Sequence, residues 1–140
     1  MPDSPNVALV RRLYDSGMAP EVTAEIIDPD LVWDIAPGFP NGGVYHGWDS
    51  VGRDFFGPMM PSFESFGPRP EQFYGDDDHV FVLGHYEAIT KTGHKADVRF
   101  VHVWTVRDGK LARMQQTADS QVLRDALSTD TPSTKAPSST

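Results

Sequence analysis

The chain has no cysteine among its 140 residues. That excludes disulfides, thiolate nucleophiles and cysteine-held zinc or iron–sulfur centres. Positive charge is scarce: twelve Lys and Arg face twenty Asp and Glu, for a formal net charge of −8. With no basic run, nothing displaces counterions from phosphates, which argues against nucleic acid and against a polybasic membrane contact. No apolar stretch approaches the ~20 residues that a transmembrane helix needs. The opening MPDSPNVALV lacks the basic-then-apolar pattern of a signal peptide. There is no HExxH pattern, His46 and His94 fall in loops, and Asp76-Asp77-Asp78 reads as an exposed turn, so no metal site is expected. No internal repeat is visible. These absences point to a cytoplasmic protein with a single domain over 1–127 and a polar tail, STDTPSTKAPSST, over 128–140 that is too poor in large apolar residues to order.

Aromatic residues are plentiful: eight Phe, four Tyr and three Trp, enough to enclose space as well as fill it. Residues 4–17 read as a helix, with Ser4 as cap, Pro5 in the first turn, and a stripe of Val7, Leu9, Val10, Leu13 and Tyr14. Pro20 and Glu21 open a second short helix. Leu31–Ile35 is a short strand, and 36–47 is a Gly- and Pro-rich loop carrying Phe39, Tyr45 and His46. A helix from Asp49 runs through Phe55-Phe56, restarts near Gly57-Pro58 and stops near Pro61. Phe63 and Phe66 fall in an irregular stretch. Four strands follow, over Pro70–Tyr74, His79–Thr90, Lys95–Val106 and Lys110–Ala118, joined by turns rich in Gly and Asp. A last helix spans Ser120–Leu127. Helices followed by a strand meander make an α+β chain.

The most informative stretch is Arg99–Ser120. His102 and Trp104 stand two residues apart and share a strand face. Such a hairpin can wall an apolar pocket for small-molecule acid–base chemistry. His102 is a proton carrier with a near-neutral ordinary pKa, or a hydrogen-bonded core residue. Asp119 ends the hairpin and precedes Ser120-Gln121-Val122-Leu123, where an Asp oxygen caps a helix. A carboxylate held by N–H donors is a weaker base, whereas one walled by aromatics is a stronger one. Gln116 projects opposite Asp119 by alternation and can exchange hydrogen bonds but not act as a base. Trp33, Phe39, Tyr45, Phe55, Phe63, Tyr86 and Trp104 are candidate pocket walls for a small apolar ligand. His85 and Glu87 share a face as a rim pair or a solvated pair. Asp97 and Arg99 do the same as a surface ion pair or as part of a water-activating set with Asp119.

The segment FVHVWTVRDGKLARMQQTADS following TKTGHKADV, together with the earlier VYHGWDSVGRDFFGPM, resembles the ketosteroid isomerase-related, SnoaL-like polyketide cyclase branch of the nuclear transport factor 2-like superfamily. The resemblance spans roughly residues 6–127. It implies a cone-shaped, curved antiparallel sheet with helices on its concave face, an apolar pocket and a homodimer formed through the sheet. It also implies acid–base catalysis without a cofactor. Asp119 stands at the family's acid/base carboxylate before the last helix, and His102 at its pocket-facing strand histidine. Tyr14 resembles the Tyr of the steroid isomerases, but Val101 and Val103 flank His102 where their second acid would stand. Asp97, Arg99 and Asp119 match the epoxide hydrolase-like set poorly in order. The implied activity is isomerisation or aldol-type cyclisation of an apolar carbonyl compound, such as a polyketide or terpenoid intermediate. A non-catalytic binding module, or hydrolysis or dehydration by activated water, is the alternative.

Overall fold

A computed structural model describes residues 4–130. Helix α1 (Pro5–Asp15) starts where the Ser4 hydroxyl accepts the Val7 N–H at 3.2 Å. Its apolar spacing buries Val7, Val10 and Leu13. It ends at Gly17 and Met18, whose φ values of 65° and 59° turn the chain so that the Met18 N–H reaches back to the Leu13 carbonyl. Helix α2 (Pro20–Ile26) follows and buries Thr23 and Ile26.

The strands are β1 (Ile27–Ile35), β2 (Gly43–His46), β3 (Phe63–Asp76), β4 (His79–Thr90), β5 (Lys95–Arg107) and β6 (Lys110–Ala118). They form one sheet in the order β2-β1-β6-β5-β4-β3. All neighbours run antiparallel except β1 and β6, which are parallel. The sheet is curled and carries helices on one face, as expected, with the one parallel pair β1 and β6 among its antiparallel neighbours. Burial alternates strictly on β5: Ala96, Val98, Phe100, His102, Trp104 and Val106 face inward, while Asp97, Arg99 and Val101 face out. The core lies between this inner face and the helices.

Several segments differ from the sequence reading, among them β1, which starts at Ile27 rather than Leu31. The loop over 36–47 contains β2, which pairs along β1 from Val32↔His46 to Ile35↔Gly43. Strand β3 starts at Phe63, not Pro70, because Pro68 and Pro70 are tolerated on the sheet edge and a register shift falls between Pro70 and Gln72. The helix expected from Asp49 is a composite: α3 (Trp48–Ser50), a π-helical turn over Val51–Phe56, α4 (Gly57–Met59) and a 3-10 turn over Met60–Ser62. The last helix, α5 (Ser120–Asp130), continues past Leu127. The tail expected to be disordered lies, from 131, outside the described residues. Among the described residues no helix is long and apolar enough to cross a membrane.

Gly84 is needed where it stands. A Cβ there would lie 2.3 Å from the Arg69 carbonyl oxygen and 3.0 Å from the Phe100 ring. Its absence lets the kinked β3 approach β4 and lets Phe100 lie over the strand. The Phe100 ring also packs against Tyr86, at 4.6 Å between centroids.

Candidate active site

A cavity of about 540 Å³ opens between the inner sheet face, α1 and the composite helix. Its wall is aromatic: Tyr14, Trp33, Phe39, Phe55, Phe56, Phe66, Tyr86, His102 and Trp104 all line it. The size and lining suit a small organic ligand. The π-helical turn explains one part of the wall. An extra residue in the turn re-aims side chains, and the adjacent Phe55 and Phe56 both reach the cavity.

The polar groups in this wall are chained. Tyr14 Oη lies 2.5 Å from His102 Nδ1, and Tyr86 Oη lies 2.6 Å from His102 Nε2. Each phenol also accepts a fixed N–H: Trp104 Nε1 donates to Tyr14 at 3.0 Å, and Gln116 Nε2 donates to Tyr86 at 3.0 Å. The Gln116 orientation is held from behind, where its Oε1 accepts the Ala36 N–H at 3.4 Å. Strand register builds the centre of this chain, since His102 pairs directly with Gln116 across β5 and β6. Phe100 stacks on the imidazole at 3.9 Å with planes 10° apart.

Burial decides the protonation states. His102 is 5% exposed, and loss of solvation pushes its pKa down to about 3, so the ring is neutral at physiological pH. Burial likewise pushes both phenols far above their usual range, against a smaller lowering from Trp104 at Tyr14 and from Gln116 at Tyr86. The Trp33 indole N–H is buried without a hydrogen-bond partner among the described residues; its ring stands edge-on to those of Trp48 and Phe56.

The expected residues fall into three groups. Trp33, Phe39, Phe55, Tyr86, His102 and Trp104 line the cavity. Phe63, Tyr45 and Gln116 stand one layer behind it: Phe63 packs on Phe66, Tyr45 on Phe55, and Gln116 holds Tyr86. Asp119 is elsewhere. It lines a second depression on the outer sheet face, with Glu71, His85, Asp97, Arg99 and Val101. The expected pairing of Asp119 with His102 is therefore not formed. Gln116 and Asp119 stand three positions apart, an odd step that strand alternation sends to opposite faces. Asp97 and Arg99 do share that outer depression with Asp119, but Asp97 lies nearer His85, at 3.6 Å. His85 also lies 3.4 Å from Glu71 and 3.5 Å from Glu87, which itself pairs with Arg69 at 2.8 Å. Among the described residues no group of three His, Asp or Glu is arranged to hold a metal ion.

Tyr14 was a resemblance candidate only, and Phe56, Phe66, Met18 and Met60 were not expected in the wall. The signal for Tyr14 was its place beside Leu13 on the apolar stripe of α1. The loop bearing Phe39 is fixed by α5, where Arg124 Nε donates to the Gly38 carbonyl.

Comparisons with known proteins bear on the fold. The model of the SnoaL-like domain matches residues 10–114. A comparison with curated proteins finds no match. Among solved structures, TerC co-crystallised with polyporic acid is 26% identical, with a TM-score of 0.80 over 89% of this chain and 99% of that one. An NTF2-like protein of unknown function from Burkholderia pseudomallei K96243 is 24% identical, with a TM-score of 0.78 over 89% and 98%. A protein from Jannaschia sp. CCS1 described as a SnoaL-like polyketide cyclase is 20% identical, with a TM-score of 0.76 over 91% and 97%.

Proposed function

Because the chain belongs to the SnoaL-like domain family, we propose that it is a cofactor-independent acid–base enzyme acting on an apolar carbonyl compound, by isomerisation or cyclisation. The observation that carries this is the Tyr14–His102–Tyr86 chain in an aromatic cavity. A phenol O–H aimed into a water-poor space stabilises negative charge developing on a carbonyl oxygen. The neutral imidazole orients both phenols and exchanges protons with them. The aromatic wall binds the carbon skeleton. That TerC crystallised with polyporic acid supports a small organic molecule as the ligand class.

Here the acid–base role moves from Asp119 to the two tyrosines, while His102 keeps its place beside the ligand. A binding module is the second reading, favoured by the cavity lining, which contains Arg69 but no carboxylate among the described residues. The deciding test uses aryl ketones and 1,3-diketones in D₂O. Titration calorimetry reads binding, and NMR reads exchange of the proton next to the carbonyl. Binding with catalysed exchange that Tyr86→Phe lowers supports the enzyme. Binding without exchange leaves the module, and no binding by any of the panel rejects both.

A further inference from the structure

The hydrogen-bond chain has a property that follows from counting its protons. Two phenols and one neutral imidazole carry three exchangeable protons: one on each oxygen and one on a ring nitrogen. Two of the three are consumed by the Tyr14–His102 and Tyr86–His102 contacts. Each phenol oxygen also has one lone pair occupied, by Trp104 at Tyr14 and by Gln116 at Tyr86.

What remains depends on the tautomer of His102. With the proton on Nε2, Tyr14 donates to Nδ1 and keeps a free lone pair, while Tyr86 accepts from Nε2 and keeps a free O–H. With the proton on Nδ1 the two ends trade roles. In either state one end of the chain is a donor and the other an acceptor, and they switch together. Both tyrosines line the same cavity.

We propose that Tyr14, His102 and Tyr86 form a charge-neutral proton relay that takes a proton from one end of a ligand and returns one to its other end. This rests on the enzymatic reading above and narrows its substrate class. The ligand carries an acidic C–H or O–H at one end and a carbonyl on the same conjugated frame, as in a 1,3-dicarbonyl compound.

The step balances. The Tyr86 proton passes to the ligand carbonyl oxygen, the Nε2 proton passes to Tyr86, the Tyr14 proton passes to Nδ1, and Tyr14 takes the proton from the ligand carbon. One C–H bond breaks and one ligand O–H forms. The C–H electron pair becomes the C=C bond of the enol, and the carbonyl π pair becomes the new O–H bond. The protein keeps three protons and no net charge, with the imidazole in its other tautomer. Exchange with water after product release resets the chain, or the reverse reaction does. The burial that disfavours both imidazolium and phenolate favours this concerted route over a stepwise one.

The test uses the full chain and benzoylacetone, a 1,3-diketone whose keto and enol forms differ in ultraviolet absorbance. First, ¹⁵N NMR of His102 in the free protein reads its tautomer. The relay requires signals from both nitrogens that report exchange between Nδ1–H and Nε2–H and that shift when benzoylacetone binds. A single tautomer that ligand leaves unmoved overturns it. Second, benzoylacetone tautomerisation is followed for Tyr14→Phe and Tyr86→Phe. Each is expected to lose about 10²–10⁴-fold in rate, with binding retained and a flat pH profile in the wild type from about pH 5 to about pH 7, where the diketone itself stays un-ionised. Loss in only one variant overturns the relay in favour of a single phenol donor. A variant that does not fold leaves the tautomer measurement to decide. Failure of the wild type to act on benzoylacetone counts against the enzymatic reading, whereas exchange between the two tautomers is read in the free protein and judges the chain alone.

Discussion

Acid should destabilise this fold through one buried ring. His102 is neutral in the native state because burial pushes its pKa down to about 3, whereas an unfolded histidine titrates near the ordinary 6.5. Between those values the unfolded chain binds a proton that the native state refuses. Stability from this group is therefore complete above the unfolded pKa and falls as the pH drops through the window toward the folded value. Going from pH 7.5 to pH 5 costs about 2 kcal/mol from this residue. That figure is set by the unfolded pKa, since at pH 5 the native ring stays neutral for any folded value well below 5. The perturbation that isolates it is His102→Gln, which removes the titration and keeps an amide able to accept from one tyrosine and donate to the other. Urea unfolding of both proteins across this range gives two stability curves. The wild type should lose about 2 kcal/mol more than the variant on acidification, whatever the variant's absolute stability. The exposed carboxylates whose pKa values are lowered by ion pairs, Glu25 by Arg12 and Glu87 by Arg69, contribute alike to both curves and cancel. Parallel curves would falsify the argument, because they mean the native ring takes up its proton as readily as the unfolded one.

Three other outcomes are expected. Asp119→Asn should leave benzoylacetone affinity within about twofold, because Asp119 lies outside the aromatic cavity; a larger loss by titration calorimetry refutes that placement. Gly84→Ala should destabilise by about 1–3 kcal/mol in urea unfolding, since its Cβ would overlap the Arg69 carbonyl and the Phe100 ring; an unchanged midpoint means that β3 yields freely. The sheet's outer face exposes Val101 at 38% beside Leu83, and the family resemblance implies a dimer through this face. Val101→Glu should shift the sedimentation coefficient from dimer to monomer with the far-ultraviolet circular dichroism intact, and a monomeric wild type refutes the interface.

The strands that could be read from sequence are those where a two-residue period and a turn signal agree. His79–Thr90 and Lys110–Ala118 were bounded correctly, because Gly75-Asp76-Asp77-Asp78, Gly93 and Asp108-Gly109 mark their ends. Strand β3 was hidden by Pro68 and Pro70, which an edge position tolerates but a single sequence cannot locate at an edge. The aromatic wall was largely legible because Trp33, Phe39, Phe55, Tyr86 and Trp104 are bulky residues on core-facing elements. The polar chain was not. Tyr14 meets His102 across 88 positions, and Tyr86 meets it across 16. Such contacts join residues far apart in the chain through the tertiary fold, which has no local pattern. Asp119 lies outside the aromatic cavity, and the strand parity that turns it away from Gln116 is the sequence signal for that placement.

That parity reshapes the chemistry open to the protein. With Asp97 and Asp119 on the outer face, the cavity lining holds no carboxylate among the described residues; besides Arg69 its titratable groups are a ring that resists protonation and two phenols that resist ionisation. An ionic base in such a space would lose several kcal/mol of solvation. The arrangement avoids that cost because no member of the chain has to bear charge. Proton transfer can then proceed only where the ligand supplies both a proton to give and an oxygen to receive one. On the proposed relay, a simple ketone with no acidic hydrogen would be held by the free O–H and left unchanged, so the same cavity would bind one class of carbonyl compound and act on another.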